Sequence, residues 1–153
     1  MKLFKKKILF LFIGIGLSFC ASKERIQTNF PQEMTSVYFQ KWTGGRQETG
    51  RGIYFHIEFK QPLSKEIQLE KIYFQNQVVN VERESDTHFI ANFYQKPKSQ
   101  DLILNGEDHK APISEKPKFD LKSNQAILEY KKNNKTMFFK INNIKEKPMI
   151  AYP

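Results

Sequence analysis

The chain has 153 residues, a formal net charge of +9, three histidines and one cysteine. That length holds one ordinary domain, and a lone cysteine excludes an internal disulfide, so stability must come from apolar burial and hydrogen bonding. Four of the 25 basic residues lie within the first seven positions, which leaves 21 against 16 acidic residues, a net +5 with no basic cluster beyond a hairpin turn; no nucleic-acid partner is expected.

The first element is an export signal. Lys2, Lys5, Lys6 and Lys7 precede an apolar run from Ile8 to Leu17 and a polar break at Ser18, the order of parts that a secretory leader needs. The run is shorter than the roughly 20 residues of a membrane-spanning helix, and its lysines favour the cytoplasmic side. The only cysteine follows at once, in Leu17-Ser18-Phe19-Cys20. This tetrapeptide resembles the lipobox of bacterial lipoproteins. The resemblance implies removal of residues 1–19 as a signal peptide, lipidation of the Cys20 thiol, and a protein held in the cell envelope, at the outer membrane. Phe19 departs from the Gly, Ala or Ser usual before that cysteine, which bears on the efficiency of cleavage rather than on the destination. Acyl chains contribute about 0.8 kcal/mol per buried methylene, so two or three of them anchor a protein durably.

Residues 20–35 read as the lipidated cysteine and a flexible tether, because Ala21 to Thr35 is polar, aperiodic and contains Pro31. Such a tether reaches on the order of 20 Å. The folded domain is then expected over 36–153.

Within it the signal is strands. Ile53, Phe55, Ile57 and Phe59 alternate with Tyr54, His56, Glu58 and Lys60, the period of a strand with one buried face. Val37–Trp42, Ile67–Phe74, Val78–Glu82, His88–Tyr94, Ala126–Lys131 and Thr136–Ile141 are further runs rich in aromatic and β-branched residues. The apolar spacing slips between Leu69 and Ile72, which predicts a bulge. Gln75-Asn76 and Asn133-Asn134 predict tight hairpins, since asparagine tolerates positive φ; Asn105-Gly106 is a further turn signal. No segment has a helical apolar period. The expected fold is all-β, a small antiparallel sandwich of seven or eight strands, with an open barrel as the alternative.

Two connections exceed what a turn needs, Thr43–Gly52 with its glycines and the segment from Gln95 to Asn124 with Pro97, Pro112 and Pro117. In the first, Arg46 and Arg51 offer guanidinium groups that bind a carboxylate or phosphate through two bonds, although the glycine spacing matches no nucleotide-binding fingerprint. Trp42 and Tyr38 share one face of a strand beside that loop. These four residues, Trp42, Arg46, Arg51 and Tyr38, are the candidate partner-binding set. His56 with Glu58 and Asp86 with His88 each share a strand side and are the candidate acid–base pairs. Their spacing matches no metal motif, and neither a metal nor a cofactor is expected.

The stretches Val37-Tyr38-Phe39-Gln40-Lys41-Trp42, Leu69-Glu70-Lys71-Ile72-Tyr73-Phe74 and Ile144-Lys145-Glu146-Lys147-Pro148-Met149-Ile150-Ala151-Tyr152-Pro153 resemble a group of small Bacteroidetes-type lipoproteins. That resemblance supplies no catalytic residue. The expected role is a noncatalytic envelope module that binds a protein or a glycan, or is structural; the alternative is a small envelope hydrolase using a surface His–carboxylate pair.

Overall fold

The structure, a computed structural model, describes residues 25–45, 50–95 and 118–153. Cys20, Arg46, Asn105-Gly106 and His109 lie outside the described residues, as do the whole of the signal, the glycine loop's tip and most of the long connection. Ten strands form in chain order: β1 (Ile26–Gln27), β2 (Met34–Thr43), β3 (Arg51–Phe59), β4 (Ile67–Phe74), β5 (Gln77–Asn80), β6 (Glu82–Arg83), β7 (His88–Gln95), β8 (Ala126–Lys132), β9 (Lys135–Ile141) and β10 (Lys145–Ala151). They make two five-stranded sheets, one ordered β1-β9-β8-β4-β5 and the other β10-β2-β3-β7-β6. The sheets pack face to face as a sandwich; no barrel closes.

The alternation that predicts β3 is the reason it sits at the centre of its sheet. Phe55, Ile57 and Phe59 are buried on the inner face, where Phe89, Ala91 and Phe93 of β7 and Phe39 of β2 join them. Phe74 of the opposite sheet fills the space between, its ring centroid 5.0 Å from Phe39, 5.2 Å from Phe55 and 6.0 Å from Phe93. One side chain of one sheet thus holds three strands of the other, through tilted and edge-on ring contacts that add to the burial term. The side chains of Phe55, Phe74, Phe93, Ile72 and Leu128 are almost fully buried, each contributing roughly 1.5–3 kcal/mol over its exposed state.

Turn chemistry holds as expected. Gln75 and Asn76 have φ of 47° and 62°, and Asn133 and Asn134 have 49° and 63°, the paired left-handed residues that close two-residue hairpins. The slip in β4 is a register shift between Leu69 and Lys71 against β8. The run Val78–Glu82 is divided: β5 pairs with β4 in one sheet and β6 with β7 in the other, so the chain changes sheet at Val81.

Two expectations are corrected. The sandwich is mixed rather than antiparallel, because β1 runs parallel to β9 and β10 parallel to β2. Both edge strands join partners distant in sequence, and no hairpin dictates their direction. The second correction shortens the tether. Ile26-Gln27 pairs with β9, Gln27 Oε1 accepts a 2.8 Å hydrogen bond from the buried Tyr130 hydroxyl, and Phe30 packs against Phe59, Tyr130 and Phe139. The Tyr130 hydroxyl, desolvated in the core, needs an acceptor, and β1 supplies it.

Candidate functional site

Register across β2, β3 and β7 sets the functional geometry. Inward-facing residues pair across the three strands in rungs: Phe39–Phe55–Ala91, then Lys41–Ile53–Phe93, then Thr43–Arg51–Gln95. The inner face of this sheet is therefore apolar in the middle and polar at one end. Arg51 donates from Nε to Gln95 Oε1 at 3.1 Å, and Lys41 Nζ meets Glu146 at 2.8 Å. Where that end faces the β4–β5 turn there is a cleft of about 450 Å³, within the size range of small-molecule sites. Lys41, Thr43, Arg51, Gln75 and Gln95 supply its polar lining; Trp42, Ile53 and Met149 are apolar, and Gly52 completes the wall among the described residues. Met149 is 61% exposed, the most open large apolar side chain described.

The structure brings two members of the predicted binding set, Trp42 and Arg51, to this cleft. Tyr38 is elsewhere, four residues back along β2, stacked on His56 at 4.5 Å and capped by the Lys147 ammonium at 3.3 Å from its ring centroid. Lys41, Thr43 and Gln95 are cleft residues that the pattern did not single out. Their signal was parity, since each lies two or four residues from a core phenylalanine on its own strand.

The outer face of the same sheet carries a second aromatic layer. Trp42 is buried there, outside the sandwich core, its ring near-parallel to Tyr54 at 5.6 Å and Tyr94 at 5.8 Å with Tyr152 edge-on at 6.3 Å. Gly52 makes this possible. A Cβ there would stand 2.7 Å from Trp42 Nε1 and 2.7 Å from the Phe93 carbonyl oxygen, so the indole lies across β3 only over a glycine. Burial pushes the Tyr54 hydroxyl above the usual phenol range, and Tyr152, bonded to it, adds to the shift. Buried to 8% exposure, Trp42 offers no open ring face to a sugar.

The predicted acid–base pairs do not form. Glu58 accepts from the Tyr38 hydroxyl at 3.4 Å, and Asp86 pairs with Arg83. Instead Glu84 Oε2 lies 2.6 Å from His88 Nδ1, and His88 Nε2 lies 3.0 Å from His56 Nδ1. The diagonal placement of the two histidines on β3 and β7 brings their rings within 5.2 Å. With Glu84 as acceptor, His88 carries its proton on Nδ1 and accepts at Nε2 from His56 Nδ1–H. His56 Nε2 is then the unprotonated nitrogen, and it is buried without a hydrogen-bond partner. Burial lowers the His56 pKa, His88 and Lys147 lower it further, and Glu84 and Glu58 oppose the shift. No group of three or more potential metal ligands occurs among the described residues.

The fold and cleft together define a two-sheet β-sandwich with a polar-lipped cleft at one end. No protein-family model, curated protein or solved structure matches the chain.

Proposed function

We propose that this protein is an exported, lipid-anchored envelope module that binds rather than catalyses, and that its ligand or partner docks at the cleft beside Trp42 and Arg51. One observation carries the reading: the inner face of β2-β3-β7, core around Phe39, Phe55 and Phe93, turns polar at Lys41 and ends in a rung of Thr43, Arg51 and Gln95. Placing a guanidinium on the inward side of a sandwich strand gains nothing for the core, and a cleft of binding-site size lies against it. The leader and Cys20 support the envelope part, with the membrane as one partner through the lipid and a protein or glycan of the envelope as the other.

The test is quantitative capture from the organism's own detergent-solubilised envelope, with the anchored full chain, Arg51→Ala and Arg46→Ala as baits. A component retained by the native chain and lost from Arg51→Ala is expected; equal recovery by both removes the cleft from the reading. For the anchor, mass spectrometry of the native N-terminal peptide is expected to show acylated Cys20, absent in Cys20→Ser. A native peptide without acyl mass overturns the lipoprotein assignment.

A small hydrolase is the second reading, favoured by the Glu84–His88–His56 chain alone. Its terminal nitrogen is sealed from solvent, which weighs against a base that must reach a substrate. Ester hydrolysis abolished by His56→Gln would revive it.

A further inference from the structure

We infer that the cleft takes a monoanionic organic molecule, a carboxylate joined to an apolar body. The inference rests on the reading of the cleft as the binding site and names its ligand chemistry. Three features of the lining converge on it.

The first is charge. Of the two cations in the lining, Lys41 already has a carboxylate partner in Glu146 at 2.8 Å. Arg51 has a neutral one, the Gln95 amide oxygen. Among the described residues the cleft therefore holds one positive charge without a carboxylate partner. A carboxylate matches it, whereas a phosphate dianion would leave a negative charge unpaired beside Glu146.

The second is the donor set. Arg51 uses Nε on Gln95, which leaves the two terminal guanidinium nitrogens as donors, and it has no acceptor to offer. Because Gln95 accepts through Oε1, its amide nitrogen is the end available to donate. The Thr43 hydroxyl on the same rung gives its one proton to the Gly44 carbonyl at 3.4 Å, so the donors that the polar lip presents to an oxygen-rich, acceptor-only head are the Arg51 guanidinium and the Gln95 amide.

The third is the apolar part. Ile53 and Met149 line the same cleft, and Met149 is exposed without a packing partner in the core. A flexible thioether at the edge of a site adapts to an apolar body of variable shape. Guanidinium at one side and aliphatic surface at the other describe an amphiphilic anion rather than an inorganic ion.

Because the Trp42 indole lies in the outer aromatic layer, occupancy of the cleft is read by isothermal titration calorimetry on the full-length protein in mild detergent. The probes are 3-phenylpropionate, 3-phenylpropan-1-ol and 3-phenylpropyl phosphate, which share one apolar body and differ in the head group. Saturable binding of 3-phenylpropionate is expected at a Kd on the order of 1 mM or tighter, weakened about tenfold or more by Arg51→Gln. The alcohol is expected to bind about tenfold more weakly than the acid. Glu146→Gln, which frees Lys41, is expected to improve the phosphate more than the carboxylate.

Equal binding of alcohol and acid overturns the inference, as does tighter binding of the phosphate to the native chain, or an unchanged Kd in Arg51→Gln. No response to 3-phenylpropionate while envelope capture still depends on Arg51 sinks the carboxylate and leaves the cleft standing. Loss of both sinks the cleft as well.

Discussion

The two faces of β2-β3-β7 are built from the same kind of residue and are held together differently. On the inner face Phe39, Phe55 and Phe93 close around Phe74, a ring from another sheet, and water is excluded. On the outer face Trp42 packs against Tyr54, Tyr94 and Tyr152, with no ring of the other sheet among its described partners, and Tyr152 stays 45% exposed. A strand with period-2 alternation is thus not simply half core and half solvent. Its outward positions form a shallow layer of amphipathic rings in which Tyr152 stays exposed while the Trp42 indole N–H is buried.

The largest expected effect tests that difference directly. Phe55→Ala leaves a cavity enclosed by two sheets and is expected to cost about 3–5 kcal/mol, read from denaturant unfolding followed by circular dichroism. Trp42→Ala removes a larger side chain that is only 8% exposed, yet the outer layer can collapse or admit water, so the expected cost is about 2 kcal/mol. Equal losses for the two variants would abolish the distinction between core and outer layer.

A sharper probe adds atoms instead of removing them. Gly52→Ala places a methyl 2.7 Å from Trp42 Nε1 and from a backbone oxygen of β7. Lifting the indole or shifting β3 from β7 is expected to cost about 1–3 kcal/mol, with a red shift of Trp42 emission as the ring becomes wetter. If stability falls while the emission stays put, the backbone has moved and the indole has not. The same substitution read by 3-phenylpropionate binding shows whether the outer layer shapes the cleft that Trp42 borders.

These contrasts also explain what the chain disclosed in advance. The inward set Ile53, Phe55, Ile57 and Phe59, the asparagine hairpins and the slip after Leu69 were legible because each is a local pattern with a local cause. The parallel edges were not, since β1 and β10 join strands a hundred residues away and direction across such a gap leaves no trace in composition. Arg51 was legible as a residue but not as a place. Ending the glycine loop at Gly52 puts the arginine on a loop, whereas pairing with Thr43 and Gln95 makes it the last rung of the sheet. The histidines failed in the opposite sense: same-strand spacing suggested partners two residues apart, and the diagonal between neighbouring strands supplied closer ones.

The smallest effect concerns the outer face alone. His56 is half-buried, and its pKa is held below the ordinary value of about 6.5 by burial first, then by His88 and Lys147, against the pull of Glu84 and Glu58. The folded protein therefore binds fewer protons at His56 than the unfolded chain as pH falls below about 6.5, so stability decreases on acidification in that window and is fully present above it. The unfolding midpoint of the native protein is expected to drop from about pH 7.5 to about pH 5.5, and to drop less in His56→Phe, which keeps a ring against Tyr38 but cannot take a proton. Lys147→Gln removes one of the charges that depress His56 and is expected to flatten the dependence in the same direction by a smaller amount. Phe55→Ala, by contrast, lowers stability at every pH without altering the slope, because the core it damages contains, among the buried residues described, no carboxylate or histidine to titrate between about pH 5.5 and 7.5. A slope that changes in Phe55→Ala and survives in His56→Phe would assign the acid sensitivity to the wrong side of the sheet.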